Sequence, residues 1–269
     1  AIGRSFHLTL AHLVEQDERY ANWYANMPRD ENSINIMDNS AFEMYKQGRE
    51  MYPAHKLIEM GKRVNADYIV MSDYPAVECM HTIEAAHLLA PEIKSNGFGT
   101  FFVPQSEIGD LEDLIYGFQW AANSDLVDYI GVSILAVPNA YGVEKNNKLQ
   151  RYLSRWTLML ELEKRGILDQ IVSNGKRIHF LGMVDGPNEI RLFGEMGLLP
   201  LIDTWDSSAA VWAGICNIRF DNSPTGLING KNEIEVDFNH NNADDDQLQL
   251  AAENIAFIDN MIREYISVR

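Results

Sequence analysis

The chain has 269 residues, 46% of them hydrophobic, and carries 22 Lys and Arg against 39 Asp and Glu for a formal net charge of -17. That length buries one large core or two small ones, and no apolar run is long enough to cross a bilayer. The acidic balance argues against a general basic face for gripping nucleic acid, and two cysteines in no metal-binding spacing, Cys79 and Cys216, argue against a disulfide framework or a thiolate zinc site.

The opening "AIGRSFHLTLAHLV" lacks the basic flank and small-residue cleavage site of a signal peptide, so a cytoplasmic protein is expected. From there short apolar runs alternate with longer amphipathic segments. The runs are "SFHLTLAHL", "SINIMDN", "DYIVMSD", "GTFFVPQ", "DYIGVSI", "RIHFLGM" and "LPLIDTW", each nearly continuous in the manner of a strand buried on both faces. Between them lie "PAHKLIEMGKRV", "VECMHTIEAAHLLAPEIKSNG", "EDLIYGFQWAANSD", "LQRYLSRWTLMLELEKRGI" and "GPNEIRLFGEMG", with helical spacing of apolar residues. Such alternation predicts a parallel α/β architecture. "CNIRF" offers an eighth strand and "DDQLQLAAENIAFIDNMIREYISVR" a closing helix. The expected fold is one (β/α)8 TIM-like barrel over residues 1–269, with a doubly wound open sheet as the alternative. A polar stretch at 221–246 reads as an insertion, and its Asp244, Asp245 and Asp246 read as helix-capping acids rather than metal ligands.

In a parallel barrel the active site gathers at the C-terminal ends of the strands. The polar residues there are Asp38, Asp73, Gln105, the Gly131–Ser133 turn, Gly182, Asp203 and Asp206. Carboxylates sharing one pocket raise each other's pKa and divide the roles of nucleophile and general acid/base, a division suited to an electrophilic anomeric carbon. For Asp38 and Asp73 taken singly, a helix N-cap is an equal alternative. Residues 145–177 hold the densest basic segment, Lys145, Lys148, Arg151, Arg155, Lys164, Arg165, Lys176 and Arg177, interleaved with Tyr152 and Trp156. It reads either as a nucleic-acid contact surface or as a solvated helix face with Glu161 and Glu163 as partners. His7, His12 and His179 are taken as core or rim residues.

Six strand-end segments, in order between positions 34 and 208, resemble the tRNA-guanine transglycosylase family. "IMDNSAFE" is similar to its Asp-Ser-Gly-Gly-Phe-Gln segment, "IVMSDYP" to its Asp-bearing strand end and "FFVPQS" to its Val-Gln-Gly. "IGVS" resembles its Gly-Gly-Leu turn, "HFLGM" its Leu-Met-Gly-Val and "IDTWDSS" its Asp-x-Phe-Asp-Cys. The resemblance implies a (β/α) barrel that exchanges guanine for a 7-deazaguanine through a covalent glycosyl-enzyme intermediate. It implies Asp206 as nucleophile and Asp38 as general acid/base. Asp73, Gln105 and the backbone at Gly131 and Val132 would read the base edge, with Gly182 and Asp203 beside them, and Phe42 and Leu181 would sandwich the ring.

The chain departs from the family in three respects. No cysteine follows Cys216, so the family's zinc site is absent and no cofactor is expected; His240 reads as a loop histidine. "AAVW" replaces the family's Pro-Thr-Arg after the nucleophile, and Asn39, Ser40, Ala41 and Glu43 replace Ser, Gly, Gly and Gln. A compact, zinc-less relative resembles the DNA-modifying branch, which inserts 7-deazaguanines into DNA, often in viral genomes, where the altered base evades restriction. The expected partners are DNA, contacted through Lys145, Lys148, Arg151 and Arg155, and a free 7-deazaguanine base, with a homodimer left open. The alternatives are the same exchange on tRNA, a non-catalytic partner subunit, and an unrelated barrel glycosidase.

Overall fold

The computed structural model of the protein describes residues 6–31, 33–144, 147–183, 186–221 and 243–267. Its first half runs β1 (Phe6–Leu10), α1 (Ala11–Gln16), α2 (Glu18–Asn26), β2 (Ile34–Asp38), α3 (Ala41–Gln47), α4 (Ala54–Arg63), β3 (Tyr68–Val70), α5 (Cys79–Ser95), β4 (Gly99–Phe102) and α6 (Leu111–Asn123). Then follow β5 (Tyr129–Ser133), α7 (Ala136–Ala140), α8 (Lys148–Lys164), α9 (Ile167–Ser173), β6 (Arg177–Leu181) and α10 (Pro187–Glu195). A 3-10 turn at Leu199–Leu201 leads into β7 (Thr204–Trp205), α11 (Ala209–Ile215) and the closing α12 (Asp245–Ser267).

The seven strands pair in chain order, every pair parallel. They form a nearly closed barrel surrounded by helices, the TIM-like α/β architecture that the alternation predicts. The sheet curls far enough that the Phe6 ring on β1 lies 5.3 Å from the His179 ring on β6.

Period-two alternation divides the strand residues between two cores. Ile34, Ile36, Val70, Phe101, Val103 and Tyr129 fill the barrel together with Phe6, Leu8, Tyr68 and Leu181. Their outward neighbours, including Met37, Ile69, Phe102, Ile130, Ile178 and Phe180, join the larger core shared with the helices. Burial on both sides explains why the runs in sequence are almost unbroken.

The eighth strand expected at 216–220 does not form. Cys216 and Asn217 end α11, and Ile218 and Phe220 pack into a small cluster with Ala210, Ala213, Phe257 and Ile258. Asn254 on α12 accepts from Phe220 N at 2.8 Å and donates to Ile218 O at 2.9 Å, so a side chain serves backbone groups that a neighbouring strand would have bonded. Residues 222–242, most of the expected polar insertion, and His240 with them, lie outside the described residues. At the far end of the insertion Asp244 accepts from Gln247 N at 2.9 Å, and Asp245 and Asp246 occupy the first turn of α12, as capping acids do. Both cysteines are free, Cys79 buried and Cys216 partly so. No helix among the described residues is long and apolar enough to cross a membrane.

Helices α11 and α12 meet at Gly214, where an added Cβ would lie 2.4 Å from the backbone nitrogen of Ala251. Gly214→Ala should therefore lower the unfolding free energy by about 1–3 kcal/mol through overpacking. Urea titration checks this, and an unchanged midpoint would mean that the helices do not meet there.

Candidate active site

The mouth at the C-terminal ends of the strands is organised first by the turn after β2. Ser40 adopts a left-handed conformation, φ 59°, which swings the chain from β2 directly into α3. Ser40 N donates to Asp38 Oδ2 at 2.9 Å and Ala41 N donates to Asn39 Oδ1 at 2.8 Å, so both side chains are fixed by the turn that follows them. The Ser40 hydroxyl accepts from His12 N at 3.1 Å and lies 2.8 Å from His12 Nδ1, which ties the first turn of α1 to the same turn. From β3 comes Asp73, buried, accepting from Asn39 Nδ2 at 2.7 Å and from Gln105 Nε2 at 2.5 Å. Asp38, Asp73 and Gln105, expected from sequence to converge, thus lie on three successive strand ends joined through Asn39.

Burial pushes the Asp38 carboxyl up to about 8. The Ser40 N–H opposes the shift, while the charges of Asp73, Glu43 and Asp206 add to it. Asp206 follows β7 as Asp38 ends β2, so both acids stand at C-terminal strand ends, and the Asp206 charge is the smallest of these effects on Asp38. Burial also raises Asp73, to about 6, against the favourable amide bonds from Asn39 and Gln105.

Asp206 stands in different surroundings. Its side chain is 25% exposed, and its Oδ1 accepts from Gly182 N at 2.8 Å and lies 3.0 Å from His179 Nε2. Gly182 has φ 72°, and a Cβ there would sit 2.9 Å from Ile134 Cγ2, so conformation and space both demand glycine. His179 is fully buried, with Nδ1 2.7 Å from Thr204 Oγ1. Sequence reading set His179 aside with the core histidines; the signal that finds it is parity, since it shares the inward register of β6 with Leu181. His7 instead packs against Trp23 and Tyr24 on α2.

Not every expected site residue reaches the mouth. Asp203 precedes β7 and pairs with Arg177, the first residue of β6, and with the Tyr129 hydroxyl at the start of β5. It therefore belongs to the N-terminal end of the barrel, and its assignment to the base site is corrected. Arg155 is corrected as well, because it is fully buried and meets Glu189 at 2.6 Å. It also donates to Val132 O, Leu181 O and Gly182 O at 3.2, 3.0 and 2.8 Å, so no phosphate can reach it. Arg151 donates to Ile134 O at 3.2 Å and keeps partial exposure. Lys145 and the side chain of Lys148 lie outside the described residues. At the end of α8 the basic segment is a solvated helix face, with Arg165 bonded to Glu161 and Glu112 and Lys164 beside Glu161, while Lys176 donates to Ser124 O and Val127 O ahead of β6.

Gly131 faces the barrel interior, where a Cβ would lie 2.6 Å from Phe101 and 2.9 Å from Leu181, while Val132 turns outward into the helix-side core. Leu181 closes the interior cluster from the end of β6. Phe42, on the first turn of α3, is 43% exposed with Lys46 Nζ 5.1 Å from its ring centre. Among the described residues no group of three or more His, Cys, Asp or Glu is placed to hold a metal ion.

No protein-family model and no curated protein matches this chain.

Two measurements test these environments. With its carboxyl raised to about 8, Asp38 keeps a proton in the folded chain that an ordinary carboxylate in the unfolded chain has lost. Its contribution to stability is complete below the unfolded carboxylate range and is lost as pH rises through about 8. Denaturant midpoints should accordingly fall less for Asp38→Asn than for the wild type between mildly acidic pH and about 8. Arg155→Ala should cost about 3–5 kcal/mol in urea unfolding, because Glu189 is left buried and unpaired; a cation serving only as a surface phosphate contact would cost almost nothing.

Proposed function

We propose that this chain is a base-exchange transglycosylase, a pentosyltransferase that replaces guanine in DNA with a 7-deazaguanine derivative. The observation that carries the reading is the presence, at the same end of the barrel, of two carboxyls in different surroundings. Asp38 is held protonated near neutral pH, while Asp206 is partly exposed and oriented by two ring- and backbone-nitrogen contacts. The ordered resemblance of the strand ends to the transglycosylase family supplies the substrate class.

In the proposed reaction an Asp206 carboxylate oxygen bonds to C1′ of the target nucleotide as the C1′–N9 bond breaks. The electron pair leaves with guanine, which takes the Asp38 proton. In the second step the incoming 7-deazaguanine gives its N9 proton to the Asp38 carboxylate, its nitrogen bonds to C1′, and the ester bond to Asp206 breaks. Asp73 and Gln105 face the base edge in this reading, a carboxylate accepting from N–H groups and an amide able both to donate and to accept. The target guanine must be flipped out or presented single-stranded, at a cost of a few kcal/mol. Of the cations expected to hold the backbone, Arg151 is the described residue that retains exposure, and aromatic side chains near the mouth such as Phe42 supply stacking surface. The same reading takes the protein as cytoplasmic, in the host cytoplasm if the gene is viral.

Incubation with labelled guanine and either duplex DNA or tRNA, followed by digestion to nucleosides and mass spectrometry, reads polymer and base together. Label is expected in DNA; label in tRNA alone transfers the reading to that polymer, and label in neither rejects it. Asp206→Asn should abolish exchange and the covalent adduct, and Asp38→Asn should lower kcat by roughly 10²–10⁴-fold, the range for loss of a general acid/base.

A further inference from the structure

Beneath Asp206 a chain of hydrogen bonds runs down the inside of the barrel: His179, Thr204, Tyr129, Asp203, Arg177. Its direction can be worked out by counting protons. Asp203 lies 2.8 Å from Arg177 and, as a carboxylate, only accepts, so the Tyr129 phenol proton points to it. The Tyr129 oxygen is also 2.9 Å from Thr204 Oγ1, and with the phenol proton committed, Thr204 is the donor. Thr204 has one proton to give. Its 2.7 Å contact with His179 Nδ1 therefore uses a proton carried by the ring. At the other ring nitrogen, Nε2 lies 3.0 Å from Asp206 Oδ1, which also accepts the Gly182 N–H at 2.8 Å. As a carboxylate Asp206, like Asp203, only accepts, so its contact with Nε2 uses a second ring proton.

We infer that His179 is a positioning residue for Asp206 and meets it as an imidazolium, protonated on both nitrogens by the order of the hydrogen bonds below it. The positioning role rests on Asp206 being the nucleophile; the protonation state does not. The rings of Phe6, Phe101 and Tyr129 surround His179, with centroids 5.3, 5.5 and 6.4 Å away. The charged groups facing the imidazole are Asp206 directly and Asp203 with Arg177 through the relay, so the buried cation is paired, which is the condition for holding a charge in a barrel interior. The arrangement also separates the two oxygens of Asp206. Both bonds fall on Oδ1, and among the described residues no donor meets Oδ2, which is left as the attacking atom.

The test is a long-range proton–nitrogen correlation spectrum of full-length protein labelled with ¹⁵N-histidine, at neutral pH. The His179 signals, identified by their loss in His179→Gln, should show both ring nitrogens protonated. Tyr129→Phe frees the Thr204 hydroxyl to donate to Nδ1, and that nitrogen should then lose its proton. A bare ring nitrogen in the wild-type protein overturns the inference, as does a doubly protonated ring in Tyr129→Phe; should that variant fail to fold, the wild-type spectrum alone decides. In the exchange assay His179→Gln should lower kcat roughly 10–100-fold with little change in KM, the range seen for groups that orient metal ligands. Equal kcat in variant and wild type removes the positioning role. A wild-type spectrum of the expected form together with no exchange on any polymer would sink the transglycosylase reading and leave the His179 assignment standing.

Discussion

The buried guanidinium of Arg155 holds together the part of the barrel on which the mouth depends. From α8 it reaches the ends of β5 and β6, where three backbone carbonyls and the Glu189 carboxylate surround it, and the Phe180 ring lies 4.9 Å from its centre. A fully buried ion pair gains little net stability, because desolvation of both charges offsets their attraction. What it supplies is geometry: a planar fork of donors meets three carbonyls at the ends of β5 and β6 at once. Gly182 is the residue so fixed. Its carbonyl accepts from Arg155 and from Trp205 Nε1, and its N–H points at Asp206. The position of the acid after β7 is thereby set through the end of β6, by a cation on a helix outside the barrel.

The opposite side of the mouth is built by another means. No cation lies against Asp38 or Asp73 in their described contacts; amide donors, a backbone N–H and burial define them. Neutral donors stabilise a carboxylate less than a guanidinium does, so burial prevails and both groups are raised. One rim therefore holds acids raised by burial, and the other an acid oriented by a ring nitrogen and a backbone N–H. In the proposed reaction this asymmetry assigns the roles: protonation of a leaving base belongs to the rim of β2, and bond formation at the sugar belongs to the rim of β7.

How far these features could be read from sequence depends on the range of the interactions that make them. Continuous apolar runs come from burial on both faces of each strand, a local consequence of the fold, and they reveal seven strands in the right order. "CNIRF" has the same local pattern, yet Asn254, 36 residues beyond Ile218, captures its backbone, and nothing within the run itself records that capture. The acids at 38, 73 and 206 are legible because strand ends converge in every parallel barrel. Asp203 misleads because the short turn ahead of β7 puts it at the opposite end from Asp206, only three positions later in the chain. Arg155 misleads more deeply: a cation in a basic helix reads as solvated, and only the facing Glu189 and the carbonyls of β5 and β6 withdraw it from the surface.

The filled interior imposes a last constraint on the chemistry. Phe101, Val103, Tyr129 and Leu181 occupy the volume below the strand ends, and Gly131 is needed there because Phe101 and Leu181 already take the space of a side chain. A planar heterocycle therefore has no way down the axis. On the proposed reaction, the base would rest on Leu181 and the strand ends, with its edge directed sideways toward Asp73 and Gln105. In that reading a base entering from the loop side keeps its sugar outside, at the level of the partly exposed Asp206 and not of the buried Asp73. On the proposed reaction, the depth of the hydrophobic floor thus separates the acids that read the base from the acid that bonds the sugar, and the same floor admits a single extruded nucleotide while excluding the duplex it came from.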